Sequence, residues 1–414
     1  MNQISDSARS AGTATVAALT YGMFFVFAMT TDAVGEIIKI AKLEMGLSNI
    51  EASAFHWASM VAIAASGLAL GFLADRFGRK PIIILGLGIY MVANAAFMLG
   101  QDFYLYLGLL FIAGLAIGIF KTAALALIGD ISRSTEDHTV RMNKVEGFFG
   151  VGAIIGPLLV VVLAQQGLAW THLYAIAAGL CAAMILTAAM TRYPVTMAGM
   201  ETPTSLMRSL SLIRNKYALG FSMAIALYVA CEVAIFVWLP TFLDGFVGAG
   251  FSGFIATYAV MIFFTLRAIG RFLGAYVLER APWGVVVLVF SGLIFACFAL
   301  SSLLGREVAV YLLPLSGLFM SVIYPTLNSK GISCFPKSDH GAVAGLILFF
   351  TALSAAFAPL VMAYVSDSFG DGDMRVGFVM ATILSMALFA FTIWNCWKKP
   401  VEQALREANL LQYS

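Results

Sequence analysis

Gly71-Phe72-Leu73-Ala74-Asp75-Arg76-Phe77-Gly78-Arg79-Lys80 gathers one acid, three bases and two glycines into ten residues, with apolar sequence on both sides. Charge at this density cannot lie in hydrocarbon, so the stretch reads as a tight loop at a membrane surface between two spans. The composition around it agrees. Hydrophobic residues make up 61% of the 414-residue chain and charged residues 11%, with a mean hydropathy of +0.93. Soluble domains carry roughly 25% charged and 45–50% apolar residues, which argues against a soluble enzyme.

At roughly 20 residues per span, the chain has room for about twelve transmembrane helices. The apolar runs place them near 13–38, 49–74, 79–99, 103–129, 143–166, 170–190, 217–243, 251–278, 283–303, 308–328, 341–366 and 374–397. These runs are long and unalternating, unlike the segments of a membrane β-barrel. The expectation is an all-α membrane protein. A six-helix bundle at 1–190 and another at 217–397 are joined by a polar linker, 191–216, and followed by a tail, 398–414. Ser48-Asn49-Ile50-Glu51 has the form of a capping box and predicts a helix start there. Of the 24 Lys and Arg, 17 fall on the side shared by both termini and the linker, four on the opposite side and three within spans. The positive-inside rule then puts both termini in the cytoplasm. The first dozen residues are polar and the first apolar run is long enough to span, so no cleavable signal peptide is expected.

The two bundles share landmarks. Gly114-Leu115-Ala116-Ile117-Gly118 compares with Gly317-Leu318-Phe319-Met320-Ser321, and Gly156-Pro157-Leu158 with Ala358-Pro359-Leu360. The distances from first glycine to proline are 43 and 42 residues. Matched spacing favours a duplicated, pseudo-symmetric six-helix unit. The five cysteines, Cys181, Cys231, Cys297, Cys334 and Cys396, show no C-x-x-C spacing and read as small buried hydrophobes. No phosphate-binding loop, H-E-x-x-H or nucleophile elbow in its proper context is present, so no enzyme, cofactor or metal site is expected.

The loop Gly71 to Lys80 resembles the signature loop between the second and third helices of the major facilitator superfamily, where it is cytoplasmic. Within that superfamily the chain is most similar to the fucose/proton-symporter group. The supporting stretches are Phe24-Phe25-Val26-Phe27 through Asp32 to Gly46-Leu47-Ser48, Phe148-Phe149-Gly150-Val151-Gly152-Ala153, Glu232 to Trp238-Leu239-Pro240-Thr241-Phe242-Leu243, and Ile323-Tyr324-Pro325-Thr326-Leu327. The resemblance implies alternating access, with substrate near the midplane between the halves. It also implies a gating role for Gly71, Asp75, Arg76, Gly78 and Arg79.

Charges inside spans are costly and face a cavity or a partner. Asp32 is the first candidate for proton coupling, with Glu36 one turn on and Glu146 near the inner end of the fifth span. Their bland alternatives are an ion pair of Asp32 with Lys121, a pair of Glu36 with Lys39, and an interfacial place for Glu146. Lys121 departs from the fucose-symporter group, in which this position carries an acid. An ammonium here either neutralises Asp32 or binds an anionic substrate group. Tyr228 and Glu232, four apart on one face, Trp238, and Tyr324 with Asn328 are the remaining substrate-binding candidates. Trp238 reads equally as an interfacial belt residue, and His56 as a packed one. Asn94 and Gln165-Gln166 read as helix–helix hydrogen-bonding groups.

Arg267 should find an acid or a carbonyl. The function expected is a proton-coupled symporter importing a sugar or sugar derivative in the bacterial inner membrane. The alternatives are an importer or exchanger of an organic anion such as a sugar acid, and a drug or metabolite–proton antiporter. Gly152-Ala153-Ile154-Ile155-Gly156-Pro157 partly matches the motif of such exporters. The partners expected are a small-molecule substrate, the proton and membrane lipid, with a monomer and no nucleic acid.

Overall fold

The computed structural model of the chain describes residues 2–70, 73, 77–100, 102–132, 135–193, 212–335 and 340–401. The described residues form helices and connecting turns, with no strand. Gly71, Asp75 and Arg76 of the signature loop lie outside them, as do most of the linker and the tail beyond Val401.

The first six expected spans correspond to α1 (Asn2–Thr31) with α2 (Val34–Met45), α3 (Asn49–Leu70), α4 (Arg79–Ala96), α5 (Phe103–Ile131), α6 (Thr135–Gln165) and α7 (His172–Met190). The second set comprises α8 (Lys216–Phe242), α9 (Phe251–Thr257) with α10 (Ala259–Leu278), α11 (Trp283–Leu304), α12 (Arg306–Met320) with α13 (Ile323–Ser333), α14 (His340–Phe369) and α15 (Met374–Lys398). Among the described residues, eleven helical segments are long and apolar enough to cross a membrane. Leu99, Phe272, Leu303 and Trp397 are 72–82% exposed on their outer faces. Bundles that show this much apolar side chain are covered by lipid. The protein is a multi-pass membrane protein.

Two compact units emerge, Met1–Ile40 with Ala54–Pro203 and Ala41–Ser53 with Thr204–Ser414. In the first, α6 lies directly on α1: a methyl group added at Gly156 would sit 2.0 Å from the Met29 carbonyl oxygen. The repeated landmarks do matching work inside each unit. A methyl at Gly114 would meet the Ser59 carbonyl of α3 at 2.6 Å, and one at Gly317 would meet the Phe263 carbonyl of α10 at 2.4 Å. Gly156-Pro157 seats α6 on α1, and its counterpart Pro359 accepts a hydrogen bond from Trp238 of α8 at 3.0 Å.

The capping box forms: Ser48 N donates to Glu51 Oε2 at 2.9 Å and Glu51 N to Ser48 Oγ at 3.2 Å. Three expected spans are broken rather than continuous. The first turns at Asp32–Ala33, after Thr30 and Thr31 turn their hydroxyls back on the Phe27 carbonyl at 3.0 Å each. Such bonds compete with helix continuation. The tenth breaks at Ser321–Val322, four and three residues before Pro325. A proline has no N–H to give to the residue four back and crowds its carbonyl. The eighth breaks at Tyr258.

Candidate functional site

Each unit carries its own cluster of charge within the spans. In the first, Lys121 of α5 is half-buried and its ammonium lies 4.8 Å from the Phe27 ring centroid and 5.9 Å from that of Phe24. Phe149 of α6 packs edge-on to Phe27 at 5.4 Å. A cation against aromatic faces gains about 0.5–2 kcal/mol, more as it is desolvated. Glu146 and Asp32 are the acids within electrostatic reach of Lys121. Asp32 is buried, at the break between α1 and α2, whereas Glu146 is exposed on α6. Glu36 is half-buried one turn beyond Asp32, with Lys39 as its charged neighbour.

In the second unit, Glu232 of α8 and Arg267 of α10 form an ion pair with only 12% and 18% of their side chains exposed. Tyr228 lies one turn before Glu232 and is buried, its ring 6.2 Å from that of Tyr324 on α13. Glu232 and Arg267 are both in electrostatic reach of the Tyr228 hydroxyl. Asn328 is half-buried one turn after Tyr324. The backbone of α8 is fixed behind this cluster: Ser354 Oγ donates to the Ala226 carbonyl at 2.6 Å. Trp238 is fully buried and its indole N–H is committed to Pro359. Its place is in the packing of α8 on α14, not in an interfacial belt.

At the signature loop, Gly78 adopts φ 89°, a conformation open to glycine, and caps the start of α4. Arg79 Nε pairs with Asp130 Oδ2 of α5 at 3.0 Å. Lys80 Nζ donates to the Ala189 and Thr191 carbonyls at 2.9 Å each, closing the end of α7. Lys80 also lies 5.6 Å from the Tyr193 ring, and burial pushes that phenol up to about 12. One basic pair therefore ties the start of α4 to two other helix ends.

Arg267 is the site residue that its own stretch of sequence identifies least well. Its partner lies on another helix, and the only cue was a charge too deep to reach water. Asn94 and the glutamine pair do not bridge helices: Asn94 donates to the Tyr90 carbonyl of its own helix at 2.7 Å, while Gln165 and Gln166 are exposed.

Known proteins share this architecture. The chain is 24% identical to the L-fucose-proton symporter of Escherichia coli over 86% of its length and 87% of the relative's. It is 23% identical to a glucose/galactose transporter of Brucella abortus over 78% and 80%. The solved structure of a point mutant of the nucleoside transporter NupG superposes with a TM-score of 0.75 at 15% identity, over 92% of this chain and 98% of the other. The profile of the Major Facilitator Superfamily matches residues 13–359. The chain belongs to the Major Facilitator Superfamily of membrane transporters.

Proposed function

We propose that the protein is a proton-coupled secondary active transporter that imports a sugar or sugar derivative by alternating access. It works as a monomer in the bacterial inner membrane, with twelve spans in two six-helix bundles, 1–190 and 217–397. Both termini and the 191–216 linker are cytoplasmic. The observation that carries the reading is the trio around Lys121. Asp32 and Glu146 both act on one ammonium, so the three groups carry a formal charge of −1 when all are ionised. One proton taken up by either acid brings the trio to neutrality. A neutral trio is the form that crosses a low-dielectric barrier at least cost. Loading a proton and moving the site are thereby linked. Glu36, with Lys39 beside it, is the secondary proton-coupling candidate.

The second unit supplies groups suited to hydroxyls: the Glu232 carboxylate, the Tyr228 and Tyr324 rings, and Asn328, with Trp238 as the buried support behind them. Fucose, and glucose with galactose, the sugars for which the two relatives are named, agree with that class. Gly71, Asp75, Arg76, Gly78 and Arg79 form the cytoplasmic latch of the cycle, and the Arg79–Asp130 pair supports this assignment.

Lys121 itself favours a second reading, in which the substrate is an organic anion such as a sugar acid. The same arithmetic weighs against it, because an anion would approach two carboxylates for one ammonium. A drug antiporter draws little support from Gly152 and Gly156. Both are required where α6 touches the Phe25 and Met29 carbonyls of α1, a packing task independent of cargo.

The test is uptake by purified protein in proteoliposomes. Labelled L-fucose, D-glucose and D-galactose should accumulate under an acid-outside gradient and leak out when a protonophore collapses it. Accumulation driven by sodium alone, or active extrusion, would overturn the proposal.

A further inference from the structure

Asn94 of α4 is 0% exposed, and its Oδ1 makes no hydrogen bond. An uncompensated buried amide oxygen costs about 1–3 kcal/mol, a large penalty to leave in the middle of a helical bundle. The side chain lines a cavity of about 20 Å³ in the first unit, together with Thr30, Thr31, His56, Ser59 and Tyr90. Roughly 10–15 Å³ is the least that admits one water, which also needs two to four polar partners.

Three hydroxyls on the wall, those of Thr30, Thr31 and Ser59, have already spent their protons. Thr31 donates to the Phe27 carbonyl at 3.0 Å and Ser59 to the Leu110 carbonyl at 3.4 Å. Thr30 bonds the Phe27 carbonyl and also meets the Tyr90 hydroxyl. What these oxygens offer the cavity is lone pairs, as does Asn94 Oδ1. An occupant must therefore donate. No carboxylate lines the cavity to offset the charge of a cation, which leaves a neutral donor of one-atom size.

The position gives the occupant a task. Thr30, Thr31 and Val34 flank the turn at Asp32–Ala33, where the first span changes from α1 to α2 and the regular ladder of backbone bonds stops. Backbone groups released inside a membrane bundle must be satisfied by neighbouring polar groups or ordered water.

We propose that this cavity is an internal water site: one ordered water donates to Asn94 Oδ1 and hydrates the break between α1 and α2. The site stands independently of which solute the protein carries. It places solvent directly behind the segment that bears Asp32.

Radiolytic hydroxyl labelling of the purified full chain in detergent, in ¹⁸O-water and read by mass spectrometry, tests it. Ordered internal water generates radicals in place, so buried side chains beside it are oxidised. Tyr90 and Tyr174, both buried at the cavity, should be labelled at rates close to that of exposed Tyr104. Phe298, equally buried but elsewhere, should remain unlabelled. Asn94→Leu fills the cavity with apolar volume and should reduce Tyr90 and Tyr174 to the level of Phe298. Thr31→Val, which keeps the shape and removes one wall oxygen, should lower both as well. Wild-type labelling of these tyrosines at the Phe298 level would overturn the proposal. So would labelling present in choline buffer and lost in sodium, which would identify the occupant as an ion.

Discussion

Asp367, near the end of α14, holds the start of α3: its carboxylate accepts from the Asn49 side-chain amide and from the Ile50 backbone N–H, each at 2.8 Å. Asn49 also donates to Ser366 Oγ at 3.1 Å and to the Gly372 carbonyl at 3.0 Å, and accepts from Lys42 at 2.5 Å. All of these groups belong to the second unit, which takes in Ala41–Ser53 although that segment is continuous with the first unit at both ends. A short polar segment is thus bound by a dense set of specific bonds.

Asn49→Ala should lower stability by about 1–3 kcal/mol, because it leaves buried Ser366 and half-buried Lys42 and Asp367 without their partner. The measurement is the midpoint of thermal unfolding in detergent. An unchanged midpoint would show that these bonds are dispensable. Asp367→Asn should have a smaller effect than Asp367→Ala, since an amide oxygen can still cap Ile50 N.

The Glu232–Arg267 pair invites a comparison of single and double substitutions. Removing one member of a mostly buried pair leaves an uncompensated charge and costs roughly 3–5 kcal/mol, whereas replacing both with neutral groups of similar size is often near neutral. Arg267→Met alone and Glu232→Gln alone should each reduce folded yield and thermal stability. The double variant should recover most of the loss. Additive losses would mean that the two side chains do not depend on each other. If Glu232 also receives substrate hydroxyls, the recovered double variant should still bind sugar poorly.

Close helix contact in the first unit predicts an asymmetry between neighbouring glycines. Gly156→Ala must separate α6 from α1, since its methyl would lie 2.0 Å from the Met29 carbonyl, whereas nothing lies within 4 Å of a methyl at Gly150. Overpacking of this kind costs about 1–3 kcal/mol. Gly150→Ala should be neutral or slightly stabilising through helix propensity. Equal stabilities of the two variants in thermal unfolding would contradict the helix contact seen here.

Much of this architecture could be read from short-range patterns. The apolar runs, the capping box at Ser48–Glu51 and the glycine–proline landmarks each depend on residues within a few turns of one another. The glycines proved to mark equivalent helix contacts in the two units. The pairings were out of reach for a physical reason: Glu232 and Arg267, or Asn49 and Asp367, come together only when separate helices pack. Trp238 shows the limit from the other direction. An aromatic near the end of a span looks the same whether it lies in a lipid interface or points inward at Pro359. The break at Asp32 was hidden because threonine hydroxyls can bend a helix or leave it straight. Asn94 looked like a group that bridges helices, and only the location of its Oδ1 revealed the cavity.

Substrate charge can be separated from proton coupling by ligand-induced stabilisation, which follows mass action and requires no transport. Neutral hexoses should raise the unfolding midpoint of both wild type and Lys121→Ala. Stabilisation by sugar acids or dicarboxylates only, abolished by Lys121→Ala, would replace the sugar reading with the anion reading.

The central claim is that Asp32 links proton movement to cargo movement, and Asp32→Asn tests it most directly. The amide keeps the size of the acid while removing its ability to exchange a proton. In proteoliposomes, the variant should lose concentrative uptake under an acid-outside gradient while still exchanging labelled for unlabelled sugar across the membrane. Accumulation at the wild-type level by Asp32→Asn would contradict the account.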